Sequence, residues 1–409
     1  VPREPKATEF LIIERSDQLV EYCTRARSHA RFAFDTEFVM EDRYEPEVCL
    51  IQLATQDGVA LIDPYLKIDL EPVWKLICDG QVETIVHAGQ EDLALCVQHT
   101  GQFPQNIFDV QIAAGFVGLD YPVSLQKLIQ AVLQIRLHKA KTLTDWRRRP
   151  LTAAQLRYAA EDVCHLLAVR QKLGERLKRL DRAEWAAEEF AHFQRPDAYG
   201  RADGQFSPRV KGITTLRGRS MSIARQLLTW RDELARKLNR PARAVLKDHL
   251  LIEISRLELT SFSEIRDLRG LNISDKQIQN LAKVVELAKT LPPEKSEPAA
   301  QADFETPQET ILIALATAVI RSYCIEHELA YGLVATKKAI RDLIRHRTSR
   351  RSRKPEDVDL LNGWRAKTVG ALLDELLAGR RTVRVKSVGR DLFLDVWKPG
   401  ENARGQVSA

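Results

Sequence analysis

Apolar positions in the first half of the chain follow two periods. Short runs at residues 10–13, 32–38, 49–54, 59–62 and 84–87 read as β-strands. Helical spacing takes over at 16–30, 70–77, 92–98, 110–116 and 125–132, and in one long helix at 152–180. Strands interleaved with helices predict an α/β domain. The first three runs lie close together, joined by the 16–30 helix and by a short acidic turn at 41–47, so a mixed sheet is expected rather than a purely parallel one.

Past residue 198 the pattern becomes all-helical. Glycine and polar residues between Tyr199 and Gly212 mark one linker, and the Pro-rich stretch from Pro292 to Pro307 marks a second. The predicted plan is an α/β domain at 1–198, a linker at 199–214, a helical domain at 215–292, a linker at 293–307, a second helical domain at 308–380 and a tail at 381–409. The helical units read as diverged copies. In the first, Trp230-Arg-Asp-Glu-Leu-Ala begins a helix and Leu268-Arg-Gly270-Leu271 precedes the last one. In the second, 311–324 is the long helix and Leu361-Asn-Gly363-Trp364 precedes the last.

Composition narrows the class. The 409 residues suit two to four domains, and 44% hydrophobic content can supply their cores. Six cysteines, at 23, 49, 78, 96, 164 and 324, include no C-x-x-C pair, which argues against a disulfide framework or zinc knuckle and for a reducing compartment. No apolar run approaches the roughly 18 residues that cross a membrane, and the polar N-terminus lacks a signal-peptide core. A cytoplasmic protein without a membrane partner is expected. The net charge of +6 is modest, yet Arg341, Arg345, Arg347, Arg350, Arg351, Arg353 and Lys354 crowd into fourteen residues. Such a block suits a polyanion, or a solvated loop.

The chemistry starts at Asp35 and Glu37, two acids two residues apart in the apolar stretch Phe32-Ala-Phe-Asp35-Thr-Glu37-Phe-Val39. On a strand they share one face while Thr36 takes the other. Converging carboxylates repel unless a cation lies between them, and a divalent metal such as Mg²⁺ suits such oxygens. The spacing recurs at Asp69/Glu71 and Asp303/Glu305, where a helix start and a polar Pro-rich stretch give ordinary solvated readings. Asp92 follows a strand end and the turn His87-Ala-Gly89, and reads either as a helix-start acid or as a further ligand. Tyr158 and Asp162 stand four apart on one helical face, either as a buried hydrogen-bonded pair or as part of a site.

Eight ordered blocks join these residues: Phe34-Asp35-Thr-Glu37-Phe; Tyr44-Glu-Pro46 with Leu50-Ile-Gln52-Leu; Ile62-Asp-Pro64; His87-Ala-Gly-Gln-Glu-Asp92-Leu; Asp109-Val-Gln111; Thr144-Asp-Trp146; Arg149-Pro-Leu151; and Gln155-Leu-Arg-Tyr158-Ala-Ala-Glu-Asp162. In order and spacing they resemble the ribonuclease D family of the DEDD exonuclease superfamily, over most of residues 9–180. Tyr158-x-x-x-Asp162 matches its tyrosine subclass; the histidine subclass would carry His where Arg157 stands. The helical units resemble the HRDC modules of that family, the second more weakly. The segment Leu137-His-Lys-Ala-Lys141-Thr142 departs from the family's usual basic loop, and the tail after Arg381 has no usable counterpart.

The resemblance implies a mixed-sheet, ribonuclease H-like exonuclease domain followed by two all-α HRDC-like domains. It implies Asp35, Glu37, Asp92 and Asp162 as ligands of two divalent ions, Mg²⁺ or Mn²⁺, with Tyr158 as a protonated hydroxyl orienting the attacking water. The expected enzyme is a monomeric 3′–5′ exoribonuclease that releases nucleoside 5′-monophosphates from tRNA precursors and other small structured RNAs with a free 3′ end. Lys139, Lys141, Arg147 and Arg148 are candidate RNA contacts, with solvated surface as the alternative. Phe38 and Tyr44 read as base-stacking or core residues. A 3′–5′ DNA exonuclease and a non-catalytic RNA-binding protein are the competing readings.

Overall fold

The computed structural model describes residues 9–137, 145–199, 210, 212–293, 305–348, 354–388 and 391–397. Six strands, β1 (Phe10–Ile13), β2 (Arg31–Val39), β3 (Glu47–Thr55), β4 (Gly58–Ile62), β5 (Glu83–Val86) and β6 (Ile107–Asp109), form one mixed sheet in the order β1-β4-β3-β2-β5-β6. β2 runs antiparallel to β3 and parallel to β5, while β3 and β4 are antiparallel. β6 is absent from the sequence expectation: three residues are too few to display alternation.

The sheet is covered on both faces. Phe32, Phe34, Ile51 and Leu53 point into a core closed by α1 (Ser16–Ser28), α2 (Glu71–Ile77) and α3 (Gln90–Thr100). Ala33, Leu50 and Ala54 point into the opposite core, with α4 (Val110–Phe116), α5 (Leu125–Leu133), α6 (Ala153–Cys164), α7 (Leu166–Arg179) and α8 (Ala183–Phe190). The single helix expected at 152–180 is two helices. They part at His165 (φ −100°, ψ −7°), so that α6 packs across β2, β3 and β4 while α7 packs on α4 and β5.

The first helical bundle comprises α9 (Gly218–Leu238), α10 (Ala242–Val245), α11 (Asp248–Leu257), α12 (Phe262–Arg266) and α13 (Asp275–Thr290), around its own core of Ile223, Leu227, Leu251, Ile254, Leu281 and Val285. Trp230, expected to open a helix, lies midway along α9, where its indole donates to Asn280 Oδ1 at 2.6 Å. The same succession of a long, a four-residue and a medium helix returns in α14 (Pro307–Glu326), α15 (Tyr331–Val334) and α16 (Lys337–Thr348), followed by α17 (Gly363–Arg365) and α18 (Ala371–Leu377). Residues of the tail form a hairpin of β7 (Thr382–Val388) and β8 (Asp391–Trp397).

Among the described residues the second bundle has no core of its own. Ile313, Val319, Ile320, Leu343 and Trp364 share one with Phe116, Leu173 and Leu177 of the α/β domain. The Trp364 indole stacks on Trp185 at 5.5 Å and meets Phe116 edge-on at 5.0 Å. Arg182, buried between the two parts, donates to the Phe116 and Glu328 carbonyls at 2.7 and 2.8 Å. Contrary to the expectation of no membrane-length apolar run, α14 is long and apolar enough to pass for one by composition. Its Ile313, Val319 and Ile320 are buried in the shared core, whereas Ile311 and Ile325 are exposed.

Candidate active site

The site forms where β2 runs out of the sheet. Alternation sends Asp35 and Glu37 to the α6 face, on which α6 places Tyr158 and Asp162 one turn apart. Thr36 faces the other way, toward α3, and its hydroxyl donates to the Asp92 carboxylate. The side chain expected to point away from the acids thus fixes one of them. Between Glu37 and Phe38 the β2–β3 register shifts, an irregularity of the kind that re-aims side chains at strand ends.

Asp92 reaches the site through a tight turn. After β5, Ala88 takes a left-handed φ of 56°, and Gly89 packs so closely on Val86 that a Cβ there would meet the Val86 Cβ at 2.5 Å. Asp109, buried at the end of β6, ties the turn down: its carboxylate accepts from the Ala88 and Gly89 amides, both at 3.2 Å, and from the Gln111 amide at 2.8 Å. His87 donates from Nε2 to the Val123 carbonyl at 2.9 Å, and burial pushes its imidazole toward the neutral form.

Asp35, Thr36, Glu37, Phe38, His87, Asp92, Tyr158 and Asp162 line one cleft of ≈330 Å³. Its electrostatics are those of crowded acids. Desolvation, then the charges of Asp92, Asp162 and Glu37, raise Asp35 well above the usual carboxylate range. Burial followed by repulsion from Asp162 and Asp92 pushes Glu37 up to about 8. Burial raises Asp162 to about 7, opposed by its hydrogen bond with the Tyr158 hydroxyl, and Asp92 is raised by burial against the pull of Thr36. Tyr158 is itself pushed above the ordinary phenol range by burial and the neighbouring acids. Among the described residues no ion pair joins a lysine, arginine or histidine to any of the four carboxylates.

Directly across from Asp35 on β3 lies Gln52, fully buried, with neither amide atom hydrogen-bonded within the described structure. A buried amide without partners costs free energy, and this one lies on the strand paired with Asp35, whose carboxylate shares its cleft with three more. Hard divalent cations, which take carboxylate oxygens, fit that donor set. Among the described residues no three His, Cys, Asp or Glu side chains already converge on one metal-sized point; the acids share a cleft rather than a finished coordination shell.

A family model described as 3′–5′ exonuclease matches residues 10–178, and one for the HRDC domain matches 220–287. Ribonuclease D of Gluconacetobacter diazotrophicus is 32% identical over 389 residues, 92% of this chain and 96% of that protein. This chain belongs to the ribonuclease D family. Its enzymatic class is accordingly 3′–5′ exoribonuclease. Ribonuclease D of Granulibacter bethesdensis is 31% identical over 365 residues, covering 88% of this chain and 90% of that one. The crystal structure of Escherichia coli RNase D, described as an exoribonuclease involved in structured RNA processing, aligns with a TM-score of 0.74 at 27% identity over 91% of this chain and 99% of its own.

Within this ribonuclease D fold the five expected catalytic residues come together in one cleft, and of the expected RNA contacts Arg147 and Arg148 fall among the described residues. Lys139 and Lys141 lie outside the described residues. Arg147 pairs with Asp42 at 2.8 Å, and Arg148 is exposed. Three of the seven residues of the basic block are committed to the fold: Arg345 pairs with Glu309 at 2.6 Å, Arg341 lies 3.8 Å from Glu305, and Arg347 pairs with Asp374. These arginines hold the second bundle together rather than stand free for a polyanion; Arg350, Arg351 and Arg353 lie outside the described residues. Phe38 lines the cleft. Tyr44 instead docks on the first bundle, its hydroxyl donating to Asp232 at 2.6 Å with Arg236 over its ring. Thr36, Gln52 and Asp109 stand inside the ordered sequence blocks, but no role could be given to them without the partners that the fold supplies.

Proposed function

We propose that this chain trims the 3′ ends of tRNA precursors and other small structured RNAs, hydrolysing the terminal phosphodiester and releasing nucleoside 5′-monophosphates. One observation carries the reading: four mutually repelling carboxylates from β2, α3 and α6, with no cationic partner among the described residues, share a single cleft with a tyrosine hydroxyl.

Asp35, Glu37, Asp92 and Asp162 would hold two divalent ions, Mg²⁺ or Mn²⁺, which supply an ionised water and neutralise charge at the departing 3′ oxygen. Tyr158 keeps its proton and orients the water as a hydrogen-bonding hydroxyl, with Asp162 holding the phenol in place. Thr36 holds Asp92 toward the same cleft. Phe38 offers an apolar wall for the terminal base. The HRDC region would grip the structured body of the RNA while its free end enters the cleft.

Purified protein with Mg²⁺ should shorten a 3′-extended tRNA one nucleotide at a time, with EDTA stopping the reaction. Asp162→Asn should lower the rate at least 10²-fold with RNA binding retained. Undiminished trimming by that variant would overturn the site, and preference for a matched DNA strand would overturn the substrate.

A further inference from the structure

Six cysteines are present and two face each other. Cys78 closes the C-terminus of α2, and Cys96 lies on α3 one helical turn beyond Asp92; their sulfurs are 3.5 Å apart. Cys96 is buried, whereas Cys78 is partly exposed. The other four cysteines are all buried.

We propose that Cys78 and Cys96 form a peroxide-reactive modification site whose closure to a disulfide lowers exonuclease activity reversibly. The chemistry balances with a hydroperoxide as oxidant. The Cys78 thiolate attacks the peroxide oxygen, giving a sulfenic acid and, for hydrogen peroxide, water. The Cys96 sulfur then attacks the sulfenic sulfur, the S–S bond forms, and the hydroxyl leaves as a second water with the Cys96 proton. Two thiols lose two electrons and two protons, and one peroxide becomes two waters. A thiol reductant reverses the step by exchange.

The roles follow from position. Cys78 is the thiol an oxidant can reach, and the Cys96 thiol, hydrogen-bonded to it, pulls its ionisation down to about 7 while Cys96 itself is held protonated. Cys96 is buried, with its sulfur 3.5 Å from that of Cys78 and 3.8 Å from the Trp74 carbonyl oxygen to which it donates. Closing 3.5 Å to a bond of about 2.05 Å draws the end of α2 and the middle of α3 together. The helix that moves is the one whose first turn carries Asp92, and displacements of about 1 Å at a catalytic group can cost on the order of 10²-fold. This loss of activity rests on the function proposed above; the chemical modification does not.

The test treats full-length protein with hydrogen peroxide, quenches with an alkylating reagent and cleaves at acidic residues, because Glu83 and Glu91 lie between the two cysteines. The expected product joins the Cys78 and Cys96 peptides and disappears on reduction. Cys96→Ser should accumulate a dimedone-trappable sulfenic acid at Cys78, and Cys78→Ser should leave Cys96 unmodified. RNA trimming by the wild type should fall roughly tenfold or more on oxidation and return with dithiothreitol, while Cys96→Ser never forms the bond. Peroxide that leaves both thiols free, or links other cysteines, would overturn the site. A mapped disulfide with unchanged trimming would overturn the regulatory consequence. A protein inactive before oxidation would instead count against the proposed function, since the mapping of the bond does not depend on activity.

Discussion

At the scale of single residues, the acids of the cleft set a pH dependence with a definite sign. Burial pushes Glu37 up to about 8 and Asp162 up to about 7, and Asp35 is raised as well, so the folded protein keeps protons that the unfolded chain has already released. Their raised values favour the fold fully below the ordinary carboxylate range, and that advantage is lost as pH rises through about 7 to 8. EDTA-treated protein should therefore melt several degrees lower at pH 8.5 than at pH 5.5, and Asp35→Asn, which removes one of the mutually repelling charges, should flatten that slope; a wild-type melting temperature that rises over this range would contradict it. The acids themselves were legible in the sequence because carboxylates are conspicuous in an apolar strand. Their electrostatic coupling was not, since it depends on α3 and α6 arriving from opposite faces of the sheet.

At the scale of elements, the turn from β5 into α3 governs where Asp92 stands. Gly89 has an ordinary φ of −76°, so the constraint on it is steric rather than conformational: an added methyl meets Val86. Gly89→Ala should cost about 1–3 kcal/mol by overpacking, read as a lowered midpoint in urea unfolding, and should reduce trimming beyond what the lost stability explains. An unchanged midpoint would show that the turn has room to spare. In the α/β domain most strands and helices were readable from period alone, with ends off by a residue or two, whereas in the bundles α9 begins twelve residues before Trp230 and α14 four before Ile311. The exceptions have physical reasons. β6 is held by pairing with β5 rather than by any pattern of its own. The break at His165 falls in Val163-Cys-His-Leu166, which contains neither glycine nor proline, because the bend is imposed by two different packing surfaces.

At the scale of the whole molecule, the two helical bundles relate differently to the nuclease fold. The first keeps its own core and touches the β2–β3 loop through Tyr44, Asp232 and Asn239, whereas the second is fused to the nuclease core. Trp364→Ala, which empties a fully buried site between Phe116 and Trp185, should cost about 3–5 kcal/mol and lower the melting of the nuclease domain along with that of the second bundle. Independent melting of the two would contradict a shared core. This fusion was not legible: the Pro-rich stretch before α14 reads as a domain boundary, and the partners of Trp364 lie more than 170 residues away. On the function proposed above, the four carboxylates gathered at the end of β2 bind divalent ions for RNA hydrolysis. Calorimetric titration of Mn²⁺ into metal-free protein tests it most directly. Two ions should bind per chain, with at least one lost in both Asp35→Asn and Asp162→Asn; binding that is absent in the wild type, or unchanged in both variants, would contradict the account.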